Sequence, residues 1–302
     1  MQALWMVLAS LFFATMAVCV KFASAWFNAA ELVFWRGLLG MVFMWLFARH
    51  QGVSLATRYP GMHAWRTLVG VISLAMWFYA IAQLPLATAM TLNYMSSVWI
   101  AAFLVGGALL FWQPQRGGSS GGSGPQQAPL VLSVLAGFAG VVLMLRPTIE
   151  QHQAYAGVVG LLSGVTAAFA YLQVMALGKL GEPDSRTVFY FAVGSAVAGA
   201  AAMALGGVSP WDWRHALWLL PVGLLASLGQ LCMTRAYSQG ATLVVASLQY
   251  FGIVFGAIYS VSLFGDRISL SGWTGMALIV ASGIAATVLR ERATPNAPAE
   301  DH

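Results

Sequence analysis

Residues 63–112 read HAWRTLVGVISLAMWFYAIAQLPLATAMTLNYMSSVWIAAFLVGGALLFW, and only Leu84-Pro85-Leu86 separates two long apolar runs. Each run is long enough to cross about 30 Å of hydrocarbon as a helix, which takes about 20 apolar residues. Proline cannot continue a helix, so the first run ends before Pro85 and the second starts directly after it. This stretch therefore predicts two membrane-spanning helices joined by a very short turn.

The composition of the whole chain supports the same class of protein. Of its 302 residues, 60% are hydrophobic and 8% are charged, with a mean hydropathy of +0.78. A soluble domain carries about 25% charged residues, so the composition excludes a soluble enzyme, a disordered protein and a disulfide scaffold. The net charge of +5 comes from cations that sit singly between apolar runs, so we expect no nucleic-acid partner. We expect the bilayer and a small-molecule substrate as partners.

Eight further runs pass the same length test, which predicts an all-α integral membrane protein with ten spans. The ten predicted spans are residues 3–23, 29–48, 63–83, 87–112, 129–146, 154–177, 187–206, 216–237, 242–264 and 272–289. Basic residues favour the cytoplasmic side of a membrane. Eight cations fall on one side, at 49, 58, 66, 116, 179, 186, 290 and 292, against three on the other, at 146, 214 and 267. This bias predicts an inner-membrane protein with both termini in the cytoplasm.

Residues 117–124 read GGSSGGSG, which is the composition of a flexible linker. This is either a natural low-complexity loop or a replacement of the native connection, and we favour replacement because no other loop resembles it. We leave the segment out of the functional reasoning.

The two halves of the chain are weakly similar. Asn93-Tyr94 in the fourth span matches Gln249-Tyr250 in the ninth at an offset of 156 residues, and Gln83 then matches Gln239. Five spans in each half require the second half to start from the opposite side of the membrane. The sequence thus predicts two inverted five-helix repeats, residues 1–146 and 147–302, an arrangement typical of transporters. A purely structural duplication remains the alternative.

Several motifs resemble the drug/metabolite transporter superfamily of the EamA type. They are residues 77–89, the segment 31–36 that ends in Arg36, the triplet Gly265-Asp266-Arg267 and the glycines at 275 and 283. The acidic residue of the triplet is Asp266 where that family has Glu, and the first half lacks an acidic counterpart near residue 112. The resemblance implies ten helices in two inverted repeats and movement of small metabolites, most closely like the amino-acid and metabolite exporters.

Polar and aromatic residues inside the spans form the predicted substrate site, because polar groups are costly in hydrocarbon. Side-chain amides both donate and accept hydrogen bonds, which suits a zwitterionic ligand, and aromatic rings stack on a ligand or face a cation. We expect substrate contacts from Asn93, Tyr94, Gln249, Tyr250, Tyr79, Trp77, Trp99, Tyr171, Gln173 and Gln230. Each of these side chains has an alternative role in tying helices together or marking the membrane interface.

Glu31 and Arg36 are the candidates for coupling or gating. Glu31 is the one plausible titrating carboxylate inside a span, so both proton coupling and facilitated diffusion stay open. Because the sequence places so few carboxylates inside spans, we expect a site lined by aromatic and amide groups rather than by charges.

The sequence predicts a monomeric exporter of small organic metabolites, amino acids and aromatic ones among them, that works by alternating access. We expect no enzyme activity, cofactor or metal site, because neither a catalytic set nor zinc spacing nor a Walker A motif is present. The alternatives are a multidrug or quaternary-cation exporter, a lipid-modifying membrane enzyme and a scaffold without transport activity.

Overall fold

The computed structural model describes residues 2–100, 103, 132, 135–137, 139–140, 143, 151–239 and 248–293. All regular structure in these ranges is helical. The linker-like loop 117–124, most of the predicted fifth span and the first residues of the predicted ninth span lie outside the described residues.

Ten helices are described. They are α1 (Gln2–Ala23), α2 (Ala29–His50), α3 (Pro60–Gln83), α4 (Leu86–Tyr94), α5 (Gln151–Lys179), α6 (Asp184–Gly206), α7 (Trp213–Ala216), α8 (Leu219–Gln239), α9 (Phe251–Phe264) and α10 (Leu270–Ala293). A turn at Met95 ends α4, and residues 96–100 are helical again. The sequence predicted neither this break nor the four-residue helix α7.

The prediction of a multi-pass membrane protein is confirmed by the length and composition of the helices. Among the described residues, six helical segments qualify as spans: α1, α2, α3, α5, α6 and the α7–α8 segment. Large apolar side chains on them are exposed, including Leu46 (54%), Leu68 (54%) and Val197 (65%). An exposed apolar surface of this extent needs an apolar environment, which a bilayer supplies.

The turn between α3 and α4 is held by side chains from two other helices. The ammonium group of Lys21 donates to the carbonyl oxygen of Leu84 at 2.6 Å and to that of Ala82 at 3.3 Å. At the start of α4, the backbone N–H of Ala87 donates to Ser260 Oγ at 3.3 Å. These bonds occupy carbonyl and amide groups that a helix end leaves without intrahelical partners, so the chain can reverse direction here in three residues.

Helices of the first half pack mainly against helices of the second half. The most extensive contacts are α2 with α6, α3 with α5, and α1 with α8, followed by α2 with α8 and α4 with α9. A β-carbon at Gly252 on α9 would collide with the ring of Tyr94 on α4, so the two helices approach closely there. Gly256, one helical turn further along α9, also faces α4, and small residues at this spacing let two helices approach closely.

Candidate functional site

A cavity lies between the two halves of the chain, with an empty volume of about 500 Å³ that includes space open to the outside. The first half contributes Phe13, Arg36, Arg66, Gly70, Ser73, Leu74, Trp77, Asn93 and Tyr94 to its wall. The second half contributes Ala167, Ala170, Tyr171, Phe191 and Gln230. Most of these residues lie near the middle of long helices, so the cavity is deep within the helical body.

Six of the predicted site residues are brought together here: Asn93, Tyr94, Trp77, Tyr171, Gln230 and Arg36. Asn93 Nδ2 donates to Ser163 Oγ at 3.0 Å, which fixes the amide against α5. Three buried groups have no hydrogen-bond partner among the described residues: the hydroxyl of Tyr94, Nε1 of Trp77 and Nε2 of Gln230. A buried donor without an acceptor is costly, so a cavity lined with such donors favours a ligand that carries acceptor atoms.

The other predicted residues lie outside this cavity. Tyr79 packs edge-on against Tyr155, with ring centres 6.0 Å apart, and Trp99 stacks on Phe103 at 6.1 Å. Gln173 is half-buried on α5 and does not line the wall. The roles predicted for these side chains in substrate binding stay predictions.

Gln249 belongs to a buried polar cluster, whereas the buried hydroxyl of Tyr250 has no hydrogen-bond partner in the described part of the chain. Gln249 Oε1 accepts from Ser97 Oγ at 3.1 Å and from the Tyr237 hydroxyl at 2.9 Å. Ser10 Oγ donates to the Gln249 carbonyl oxygen at 3.4 Å, which ties α1 to the start of α9. The matched pair Asn93 and Gln249 therefore have different surroundings, although both amides bind a neighbouring helix.

Glu31 lies at the start of α2 and forms a capping box with Asn28. Glu31 Oε2 accepts from the Asn28 backbone N–H at 2.7 Å, and Asn28 Oδ1 accepts from the Glu31 N–H at 3.0 Å. Ser209 donates to the same carboxylate through its N–H at 3.1 Å and its hydroxyl at 2.7 Å. These contacts fix the loop after α6 to the start of α2, and the coupling role predicted for Glu31 stays a prediction.

Arg66 is the main residue that the sequence analysis missed. It was counted there only among the cations of the cytoplasmic side, but it lies in the second turn of α3, is 2% exposed and lines the cavity. Its position was visible in the pattern, since Arg66, Gly70, Ser73 and Trp77 recur at helical spacing on one face. This cavity thus contains charged groups, whereas the sequence analysis expected aromatic and amide groups to line the substrate site.

Arg36 and Arg66 share one aromatic neighbour, Phe191 on α6. The Arg66 Cζ lies 3.8 Å from the centre of the Phe191 ring, and the Arg36 Cζ lies 4.9 Å from it. Cation–π contact of this kind offsets part of the cost of burying a guanidinium group. Arg36, the predicted gating residue, is therefore placed next to a second buried cation.

A polar cluster near the start of α3 fixes the loop between α5 and α6. Glu182 accepts from Arg186 at 2.9 Å and from Thr57 at 3.0 Å, and it lies 3.4 Å from His63 Nε2. Burial alone would raise the pKa of Glu182, but the hydrogen bonds from Arg186 and Thr57 lower it more, so its pKa lies below the usual value. Glu182 therefore stays ionised and pairs with Arg186.

Relatives of this chain are named as transporters. It is 34% identical to the pseudopaline exporter CntI of Pseudomonas aeruginosa over 251 residues, which is 83% of each chain. It is 26% identical to an uncharacterized transporter of Helicobacter pylori, covering 92% of this chain and 91% of that one. It is 25% identical to a riboflavin transporter of Rhizobium johnstonii, covering 93% and 89% respectively.

The fold is shared with a protein of known crystal structure. That protein is 18% identical in sequence and superposes with a TM-score of 0.67 over 95% of this chain and 98% of its own. No family model matches the sequence. The similarity over most of the length of both chains shows that this protein belongs to the family of membrane transporters that includes the pseudopaline exporter of Pseudomonas aeruginosa.

Proposed function

We propose that this protein exports small organic metabolites, amino acids and aromatic ones among them, and is a drug/metabolite transporter of the EamA type. The observation that carries the proposal is the deep cavity lined by both halves of the chain. Its wall combines amide and hydroxyl groups with several aromatic rings, which suits a ligand with both polar and apolar parts. Transport is favoured over lipid modification because the relatives are named as transporters.

The mechanism we propose is alternating access between two inverted repeats. If the halves are equivalent, α3 of the first half corresponds to α8 of the second, and α1 corresponds to α5. The α3–α5 contact then corresponds to the α1–α8 contact. These two contacts are of similar extent, and α2–α6 and α4–α9 map onto themselves. This pairing supports a two-fold relation between residues 1–146 and 147–302. Exchange of conformations between the halves would open the cavity to each side in turn.

We further propose a monomer in the inner membrane with both termini in the cytoplasm. Because Arg66 is buried, we no longer count it among the eight cations on the cytoplasmic side. Seven cations (8 − 1) then remain on that side against three on the other. Seven against three still favours the same orientation. The competing cation exporter is disfavoured, because Arg36 and Arg66 would repel a positively charged substrate in the cavity.

The test is transport by the purified chain reconstituted in liposomes. Labelled amino acids, nucleosides and organic cations are loaded, and their efflux is measured with and without a pH gradient. We expect saturable efflux of at least one amino acid and no flux of organic cations. Protein-free liposomes give the background, and the absence of saturable flux for every class would overturn the proposal.

A matched pair of tryptophan variants links the flux to the cavity. Trp77 lines the cavity, whereas Trp45 on α2 is 44% exposed on the outer surface. We expect Trp77→Ala to lower the flux and Trp45→Ala to preserve it. Equal loss in both variants would count against this cavity as the transport site.

A further inference from the structure

Two buried cations lie next to each other in the cavity. Arg36 is 5% exposed and Arg66 is 2% exposed, and both guanidinium groups approach the Phe191 ring. An arginine side chain stays charged in proteins, so burial does not neutralise either group. Two like charges that are taken out of water beside the same aromatic ring destabilise each other unless something compensates them.

No group in the described part of the chain supplies that compensation. Neither guanidinium makes a hydrogen bond or an ion pair there, and Nε of both residues is buried without an acceptor. Surroundings are described for five carboxylates, and each of them bonds to a residue other than Arg36 and Arg66. The pairs are Glu31 with Asn28 and Ser209, Glu182 with Arg186, Asp184 with Ser238, Asp212 with His215, and Asp266 with Ser260. The charge of the pair is therefore available to a ligand.

Three other groups of the cavity have no hydrogen-bond partner among the residues that the structure describes. Nε1 of Trp77 and Nε2 of Gln230 only donate, and the Tyr94 hydroxyl can donate or accept. A zwitterionic amino acid would leave one guanidinium uncompensated and would place its ammonium group near both. A ligand with two acidic groups would neutralise both cations and supply acceptors to the remaining donors.

We propose that the substrate is an organic dianion whose two acidic groups bind Arg36 and Arg66, with its apolar part against Trp77, Tyr171 and Phe191. Carboxylate and phosphate oxygens both match the two-pronged geometry of a guanidinium group. This inference rests on the proposed transport function, since it names the substrate class of the same cavity. Within the amino-acid class, it selects N-acylated acidic amino acids and related diacids, because acylation removes the positive charge of the amino group.

A series of five compounds tests the charge requirement on the unmodified protein. Glutamine, glutamate, N-acetylglutamine and N-acetylglutamate vary the charge at similar size, and phenyl phosphate separates a phosphate from a dicarboxylate. Binding is measured as the ligand-induced rise in melting temperature of the detergent-solubilised protein. We expect N-acetylglutamate to bind at least about tenfold more tightly than N-acetylglutamine, as a charged hydrogen-bonded pair implies. Equal binding of both compounds, or tighter binding of glutamine, would overturn the proposal.

Arginine variants connect this preference to the pair. We expect Arg66→Gln and Arg36→Gln to abolish the difference between N-acetylglutamate and N-acetylglutamine, and Arg66→Lys to retain part of it. Arg235, which lies over the Trp5 ring away from the cavity, is the matched control, and Arg235→Gln should preserve the difference. Arg66→Gln should also leave the melting temperature without ligand equal or higher, because it removes an uncompensated charge. A preference for N-acetylglutamate that survives in both glutamine variants would overturn the assignment.

The same compounds separate this inference from the proposed function. Arginine-dependent binding of dianions without any flux in liposomes would overturn transport but support the anion site. Saturable flux of neutral amino acids that is unchanged by Arg66→Gln would support transport but overturn the anion site.

Discussion

Asn93 on α4 and Ser163 on α5 are joined by a hydrogen bond of 3.0 Å from the amide Nδ2 to the hydroxyl Oγ. The bond crosses from the first half of the chain to the second and lies at the wall of the cavity. Asn93 is therefore placed both to contact a substrate and to hold the two halves together.

Replacing each partner separates these two roles of Asn93. Asn93→Ala removes the amide from the cavity wall and also breaks the bond. Ser163→Ala breaks the bond and the hydroxyl's own bond to the Gly160 carbonyl oxygen within α5, at 2.6 Å, but leaves the amide in the cavity wall. We expect Asn93→Ala to raise the KM for transport by about tenfold, the effect of one lost polar contact. Ser163→Ala should leave KM within about twofold and cost about 0.6 kcal/mol of stability, as is typical of polar bonds between membrane helices.

Efflux at varied substrate concentration and thermal unfolding in detergent measure the two quantities. Equal KM values for Asn93→Ala and Ser163→Ala would show that the amide acts only as a tie between helices.

Gln249 presents the opposite case, because its side-chain oxygen accepts from two buried hydroxyl groups and its side chain does not line the cavity. Gln249→Leu leaves the hydroxyls of Ser97 and Tyr237 without their acceptor, so we expect a loss of about 1–3 kcal/mol in unfolding free energy. Ser96→Ala is the control, since Ser96 Oγ lies 3.5 Å from Gln249 Nε2 and the contact is weak. Denaturation of the purified variants measures the loss, and a raised KM with unchanged stability would instead place Gln249 on the substrate path.

The sequence predicts the helices well because membrane spans depend on composition and length, which are local properties. It predicts less well where tertiary contacts decide the outcome. The helix break at Met95 and the start of α9 at Phe251 both lie beside the buried cluster of Ser96, Ser97 and Gln249, whose side chains bond to one another. No local pattern specifies those partners.

The sequence predicts only part of the candidate site, because tertiary contacts also decide which side chains line the cavity. Trp77, Asn93 and Tyr94 were predicted as site residues because polar and aromatic side chains are easily recognised within apolar segments. Arg66 was counted among the cations on the cytoplasmic side because a cation near the end of a span usually extends to the interface. Its burial depends on Phe191, which lies 125 residues away in the chain (191 − 66) and carries no polar signal.

Gly252 tests whether the close approach of α9 to α4 positions Tyr94 in the cavity. Gly252→Ala places a methyl group against the Tyr94 ring, so we expect overpacking to cost about 1–3 kcal/mol and to lower the flux. Gly206→Ala is the matched control, because a β-carbon there meets nothing within 4 Å.

The double variant Gly252→Ala with Tyr94→Leu makes room for the methyl group. We expect the double variant to have a higher unfolding free energy than Gly252→Ala but an equally low flux, since Tyr94 lines the cavity. Unfolding free energy and efflux are measured on all three variants, and normal flux in Gly252→Ala would show that the position of Tyr94 does not limit transport.

The hydrogen bonds of Glu182 predict that the free energy of unfolding falls at acidic pH. Because hydrogen bonds from Arg186 and Thr57 hold its pKa below the usual value of about 4.3, the carboxylate stabilises the folded state at pH above that value. This contribution is lost as the pH falls through the lower pKa of the folded state, since the unfolded chain takes up the proton first. We expect Glu182→Gln to lower the melting temperature at pH 7 and to narrow its difference from the unmodified protein below about pH 4. Melting curves between pH 3 and pH 7 measure this, and a difference that stays constant with pH would contradict the role of the Glu182–Arg186 pair.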